Sequence, residues 1–367
     1  MQAGRQDFPD SIKSSSSSLP PLRSVAPWVF RYGRAEFLSN AVTIATATGD
    51  TCPPPSTGGG GGGGGSINPT QGEIDSWISR GSYVSGNISF NRNTSYATTD
   101  SVGVSGVTAS TTLTKTDSIG GQFSRLGGAD LPKLLRGELP AGFPNFNPTI
   151  GSCSVYTMQQ LLTNPFPLFT SVNLDAGDPL TSVGPAGTRT IPRQSNQIVG
   201  PTYSTPSNFP NNYINSGSYT LSGPGGSQVG SFSGSLDVVS DFVVTNAETD
   251  FRVVNRNSPL TVRWTGGAAG TVLTIQGQST SISGTTVGGA GFVCIANTSA
   301  GQFTVPADIL RQLPASSSIG AGGFNFITRG AFIVLAPGTG ARFNAPSGVD
   351  ILTVNNFWSW SYTPQYQ

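Results

Sequence analysis

The chain has 367 residues with 36% hydrophobic content, so its length allows two or three domains and its composition allows each a core. Lys and Arg total 19 against 18 Asp and Glu, so no long-range field attracts polyanions, and we expect no nucleic-acid partner. Histidine is absent, which removes the side chain that most often serves as a general base. These features favour a binding or structural protein over an enzyme.

The N-terminal segment, residues 1–75, is predicted to be a disordered tether. Runs of Ser at 14–18, Pro at 53–55 and Gly at 58–65 contribute little that a core can bury. Residues 1–40 also lack the basic, apolar and small-residue regions, in that order, that mark an export signal.

From residue 76 onward, short apolar runs alternate with turn residues, and this pattern predicts an all-β protein. The predicted strands span residues 83–90, 102–114, 152–158, 171–174, 188–191, 218–221, 228–236, 260–265, 272–275, 292–296, 302–305, 324–328, 331–335, 349–354 and 357–362. Short helices are predicted at 129–139 and 306–313. No apolar run reaches the length of about 18 residues that a membrane-spanning segment needs.

The predicted strands fall into two Ig-like antiparallel β-sandwich modules, residues 76–240 and 241–367. Each module contains Gly-Gln-Phe and a hydroxyl residue, at 121–124 and at 301–304, followed by a short predicted helix. Two interpretations of this similarity stay open. It reflects either a duplication or chance within a biased composition.

Three cysteines bear on redox state and metal binding. Cys52 lies in the predicted tether, whereas Cys153 and Cys294 lie in predicted strands. This arrangement favours a disulfide between Cys153 and Cys294, with two buried free thiols as the alternative. The spacing is not that of a zinc site.

Asp175 and Asp178 form the best local pair of carboxylates. Separated by two small residues, they suit a calcium ion shared with backbone carbonyls, or the two carboxylates of a glycoside hydrolase. The alternative is a tight turn in which backbone N–H groups bond to a carboxylate. Calcium is the one candidate cofactor; otherwise no cofactor is expected.

An aromatic stripe lies near the C terminus. Trp358, Trp360 and Tyr362 alternate with Ser359 and Ser361, so in a strand the three rings project from one face. An exposed face of this kind is a stacking platform for sugar rings or for the apolar surface of a partner. The alternative is that the stripe packs into the core, and the solvent exposure of the rings distinguishes the two.

Several segments resemble a group of exported Gly- and Thr-rich β-sandwich proteins of acidobacteria and similar soil bacteria. The resemblance rests on Gly-Ser-Cys-Ser-Val-Tyr at 151–156 and on residues 174–185, 219–232, 260–267 and 301–306. It covers roughly residues 80–367, and it implies Ig-like modules and an extracellular or cell-envelope location. It carries over no catalytic or ligand-binding residue, and the export signal usual in such proteins is missing from residues 1–40.

We therefore expect an exported structural or binding protein of the cell surface or extracellular matrix, without catalysis, whose partner is a protein or a polysaccharide. The first alternative is a carbohydrate-binding accessory module that uses the aromatic strand face. The second is a hydrolase that uses Asp175 and Asp178. A phage or virion fibre component shares the same composition.

Overall fold

The computed structural model describes residues 68–103, 106–138, 143–163, 170–196, 200–239, 241–283, 286–321 and 324–367. The predicted tether up to residue 67, including Cys52 and the glycine run, lies outside these ranges. The described residues are predominantly β-strand and form several sheets, so the all-β prediction is confirmed.

The strands are numbered in chain order. They are β1 (Ser82–Gly103), β2 (Gly106–Gly127), β3 (Cys153–Thr157), β4 (Thr170–Asn173), β5 (Leu180–Gly184), β6 (Gly187–Ile191), β7 (Arg193–Asn196), β8 (Gly200–Ser204), β9 (Gly217–Gly223), β10 (Phe232–Val238), β11 (Val243–Val244), β12 (Val253–Val254), β13 (Leu260–Thr265), β14 (Val272–Ser283), β15 (Thr286–Asn297), β16 (Gln302–Val305), β17 (Ser318–Ala321), β18 (Phe324–Ile327), β19 (Ala331–Phe343), β20 (Ile351–Tyr362) and β21 (Gln365–Tyr366).

One large sheet organises the described part of the chain. Its strand order is β3-β15-β14-β19-β20-β1-β2-β8-β7, and β4 also pairs with β2. Neighbouring strands run antiparallel, except that β1 and β20 are parallel over residues 85–96 and 351–362. The described residues of the strand predicted at 102–114 are in strands, but they belong to two of them, because β1 ends at Gly103 and β2 begins at Gly106. The Val-, Ser- and Thr-rich residues at the end of β1 and the start of β2 have similar strand preferences, so the sequence does not show where one strand gives way to the next.

Smaller sheets cover one face of the large sheet, which we call its inner face. A four-stranded sheet has the order β10-β9-β5-β6, and a three-stranded sheet has the order β11-β13-β16. Phe90 on β1 packs edge-on against Tyr219 on β9, with ring centroids 5.2 Å apart. Further along the large sheet, Phe332 on β19 stacks on Phe251 at 4.8 Å. The main core therefore lies between these layers, and the fold is sandwich-like.

The predicted boundary at residue 240 does not interrupt the large sheet. Strand β20 pairs along its whole length with β1, and β3 pairs with β15. Each of these pairs joins strands from opposite sides of residue 240, and all described residues belong to one compact unit. The division into two Ig-like modules is therefore not confirmed by the strand order.

The helices are short and lie at the margins of the sheets. They are α1 (Gln71–Arg80), α2 (Leu131–Leu135), α3 (Met158–Thr163), α4 (Ala247–Asp250) and α5 (Ala307–Leu310). Helices α2 and α5 fall within the two predicted segments and are shorter than predicted. No helix of the described ranges is both long enough and apolar enough to cross a membrane.

Helix α1 corrects the end of the predicted tether, because residues 71–75 are helical. Thr70 and Glu73 form a capping box, in which each side chain accepts a hydrogen bond from the backbone N–H of the other residue. Ile74 and Trp77 are buried, and Glu73 forms an ion pair with Arg342 on β19. The Thr-x-x-Glu spacing in the sequence is the signal that marks this start.

Candidate ligand-binding cleft

The aromatic stripe of β20 lies on the inner face of the large sheet. The exposed fractions of Trp358, Trp360 and Tyr362 are 1%, 9% and 3%. The ring of Tyr362 lies 4.9 Å from that of Phe251, and the indole N–H of Trp360 donates to the carbonyl of Phe242 at 2.9 Å. This corrects the expectation of an exposed stacking platform. The rings belong to the core because β20 lies between β19 and β1 in the sheet, and the chain around α4 covers its inner face.

A small cleft opens beside two of these rings. Its volume is about 200 Å³, and strands β1, β2 and β20 and the segment at residues 241–243 line it. Strand alternation directs every second side chain of β1 toward it, and the strand register places Trp358 beside Arg92 and Trp360 beside Thr94. The lining comprises Arg92, Thr94 and Tyr96 from β1, Leu113 and Lys115 from β2, Trp358 and Trp360 from β20, and Asp241, Phe242 and Val243.

Arg92 forms the polar end of the cleft. Its Nε and Nη2 donate to the two carboxylate oxygens of Asp117 at 2.7 and 2.9 Å, and its Nη1 donates to Oδ1 of Asp241 at 2.6 Å. The second oxygen of Asp117 also accepts from the backbone N–H of Ile214 at 2.7 Å. Burial by itself would lower the pKa of Arg92, but the hydrogen bonds and charges of the two carboxylates outweigh burial and raise it.

The charges at the cleft cancel. Lys115 Nζ lies 3.6 Å from Oδ2 of Asp241, and both side chains are partly exposed. The two cations, Arg92 and Lys115, therefore face two anions, Asp117 and Asp241. Such an arrangement offers no net charge to a ligand.

Aromatic and aliphatic side chains form the rest of the cleft. The ring of Tyr96 stacks on Trp360 with centroids 6.1 Å apart, and its hydroxyl donates to Oε1 of Glu248 at 3.2 Å. Leu113 has an exposed fraction of 54% and forms part of the rim. Trp358 is buried, and its indole N–H has no hydrogen-bond partner in the described structure. The cleft thus combines apolar walls with the charged side chains of Arg92, Lys115 and Asp241.

Asp175 and Asp178 lie in a turn that Arg193 closes. Asp175 Oδ2 accepts from Nη1 of Arg193 at 2.8 Å and Oδ1 accepts from the N–H of Gly177 at 2.9 Å, while Asp178 Oδ1 accepts from the backbone N–H of Arg193 at 2.8 Å. Burial raises the pKa of Asp175, but the Gly177 N–H and Arg193 outweigh burial and hold it below its usual value. Of the interpretations that the sequence left open, this arrangement fits the tight turn, in which backbone N–H groups donate to a carboxylate. In the described ranges, no group of three or more His, Cys, Asp or Glu is placed to hold a metal ion.

Cys153 and Cys294 are joined by a disulfide bond. They are register partners on β3 and β15, and Cys294 is fully buried. The bond attaches the edge strand β3 to the large sheet across 141 residues of sequence.

The sequence did not single out the polar half of the cleft. Arg92, Lys115 and Asp117 are far from residue 241 along the chain. Strand register places Arg92 opposite Asp117, and the packing of residues 241–243 against the large sheet brings Asp241 to Arg92 and Lys115. One signal is present in the sequence: Lys115 and Asp117 lie at alternate positions, so in a strand they share one face. Charged side chains on the buried face of a strand indicate ion pairs within the buried layer, because charged groups are seldom buried without a partner.

Comparison with known proteins gives no family for this chain: no protein-family model matches it, and no curated protein matches it.

Proposed function

We propose that the protein is a non-catalytic binding protein of the cell surface or extracellular matrix, and that its ligand enters the cleft between β1, β2, β20 and residues 241–243. The observation that carries the proposal is the cleft itself, because it combines aromatic and aliphatic walls with a few convergent polar groups. Ligand sites of proteins typically have this composition.

Two further features support this proposal. A disulfide between β3 and β15 is typical of proteins in oxidising compartments, which include the cell exterior. The carboxylates at the cleft are also poorly placed for proton transfer, because Asp117 is fully bonded to Arg92 and Ile214, and Asp241 faces two cations. A general acid or base needs a free proton position within reach of the substrate.

Hydrolysis by Asp175 and Asp178 is the weaker candidate. Asp175 accepts from the N–H of Gly177 and from the side chain of Arg193, and Asp178 accepts from the backbone N–H of Arg193, so Arg193 bonds to both carboxylates. A pair of hydrolytic carboxylates needs an open gap for the glycosidic bond.

The experiment immobilises the purified chain and exposes it to soluble neutral and acidic polysaccharides and to matrix proteins. The solution is also assayed for new reducing ends and for cleaved protein. We expect retention of a ligand without release of products. Release of products by the wild type, or no retention of any ligand, contradicts the proposal.

A pair of variants tests whether the cleft is the binding site. Leu113→Glu places a charge on the rim of the cleft, and Val172→Glu places the same charge at a similarly exposed position on β4 that does not line it. We expect Leu113→Glu to abolish retention and Val172→Glu to leave it unchanged. Equal retention by both variants contradicts the assignment of the cleft.

A further inference from the structure

The chemistry of the cleft points to a class of ligand. We propose that it binds one ring of an uncharged sugar, as a residue of a neutral polysaccharide or glycan. This inference rests on the proposed function and adds the ligand class to it.

The size of the cleft limits the ligand. A volume of about 200 Å³ corresponds to about seven water molecules, at roughly 30 Å³ each, which is similar to the bulk of one six-membered sugar ring. A lipid chain or a peptide helix needs a longer groove. A polysaccharide fits if one residue enters and the remainder of the chain extends into solvent.

The charges of the cleft favour a neutral ligand. Three of the five N–H groups of Arg92 donate to the carboxylates of Asp117 and Asp241, so its charge is already balanced by protein anions and is not available to hold a phosphate or a uronic acid alone. Lys115 is partly exposed, but it lies opposite Asp241 at 3.6 Å. An anionic ligand would repel Asp241, and a cationic ligand would repel Lys115 and Arg92.

The polar atoms of the cleft suit hydroxyl groups, which both donate and accept. Lys115 supplies a donor, and the partly exposed Oδ2 of Asp241 supplies an acceptor.

The apolar walls suit the C–H face of a sugar ring. Tyr96, Leu113 and Val243 line the cleft beside the polar atoms, and Leu113 and Val243 are exposed. A pyranose has C–H groups on its faces and hydroxyl groups around its edge. It therefore satisfies both parts of this lining at once, which an aliphatic ligand does not.

Isothermal titration calorimetry on the full chain tests the inference. The probes are neutral oligosaccharides built from glucose, mannose, galactose or xylose, a uronic-acid oligosaccharide of equal length, and an uncharged peptide. We expect a neutral oligosaccharide to bind and the other probes not to bind. Its affinity should change less than about twofold when ionic strength rises from about 0.05 M to about 0.5 M, since screening acts on charge pairs.

Two cleft variants and one control identify the site. Leu113→Ala removes most of one apolar wall, and Lys115→Met keeps the aliphatic stem and removes the ammonium donor. Each should weaken binding of the neutral oligosaccharide roughly fivefold, through the loss of apolar contact or of one net hydrogen bond. Thr116→Val lies next to Lys115 on the opposite face of β2 and should bind like the wild type. Because the side chains of Leu113 and Lys115 are both partly exposed, we expect both cleft variants to fold like the wild type.

The outcomes separate the two proposals. Binding of only the acidic oligosaccharide or only the peptide, with loss in the cleft variants, overturns the sugar inference and leaves the proposed binding function intact. Neutral binding that neither cleft variant weakens also overturns the inference. Absence of binding to every probe here and to every polysaccharide and matrix protein of the retention assay overturns both proposals.

Discussion

Arg92 is a charged side chain on the inner face of a β-sheet, where apolar residues predominate. It is stable there because Asp117 and Asp241 neutralise it and accept three hydrogen bonds from it. Removing one member of such a set leaves an uncompensated buried charge, which costs more than the set contributes. Arg92, Asp117 and Asp241 therefore depend on one another, and replacing one of them destabilises the fold.

Asp117→Asn should lower the free energy of unfolding by about 3–5 kcal/mol, because Arg92 stays buried and loses its fully buried partner. Urea unfolding of the two proteins measures the difference. The control is Asp130→Asn in the exposed pair with Lys133, where we expect a change below about 1 kcal/mol. A loss at Asp117 no larger than that at Asp130 would show that Arg92 does not depend on this carboxylate.

The ion pair of Glu73 and Arg342 should make the attachment of α1 sensitive to acid. The hydrogen bond from Arg342 is the main cause that lowers the pKa of Glu73 from its ordinary 4.5 to about 2, against the opposing effect of burial. Because the folded pKa lies below the unfolded one, the stabilisation is complete above pH 4.5 and is lost as the pH falls through about 2.

The variant Glu73→Gln removes this titration. The stability difference between wild type and Glu73→Gln, from urea unfolding, should be constant above pH 5 and shrink toward pH 2. A difference that stays constant over this whole range would argue against the lowered pKa.

Among the elements, the edge strand β3 depends on a covalent attachment. It pairs with β15 over five residues only, and the disulfide between Cys153 and Cys294 lies at one end of this pairing. The double variant Cys153→Ala, Cys294→Ala should lower the free energy of unfolding by about 2–5 kcal/mol, as expected for a bond that closes a long loop.

Thermal and urea unfolding with and without reductant measure this effect. Reduced wild type should approach the stability of the double variant, which itself should not respond to reductant. If reductant leaves the wild type unchanged although its thiols become alkylated, then the bond does not stabilise the fold.

At the scale of the whole molecule, the large sheet makes the two halves of the chain interdependent. Residues 85–96 of β1 supply one of the two neighbours of β20, so the segment 241–367 alone exposes an edge of β20 and the inner-face rings beside it. We expect the segments 76–240 and 241–367 to be unfolded or aggregated when produced separately.

The NMR amide spectrum of each segment, compared with that of the whole chain, tests this expectation. Mixing the two segments should restore a dispersed spectrum if strand pairing alone drives their association. Well-dispersed spectra from both isolated segments would instead support two autonomous modules, as the sequence pattern predicted.

The sequence by itself determined the β character, because strand preference, alternation and turn residues act over a few neighbours along the chain. It also identified Cys153 and Cys294 as the candidate disulfide. For Asp175 and Asp178 it left two interpretations open, a calcium or hydrolytic site and a tight turn. The sequence also contains the Thr70–Glu73 capping box of helix α1, but the glycine run beside it predicts a tether, and the burial of Ile74 and Trp77 decides between the two.

Only the tertiary structure decided which side of β20 is buried and what lies beside it. Alternation shows that Trp358 and Trp360 share a face, but the same alternation fits an exposed face and a buried one. The choice depends on which strands flank β20 and on the layer that covers it, and these come from β1, β19 and the chain around α4. For the same reason, the contact of Arg92 with Asp241 depends on how residues 241–243 pack against the large sheet, and it joins residues 149 positions apart, a separation over which local sequence preferences carry no information.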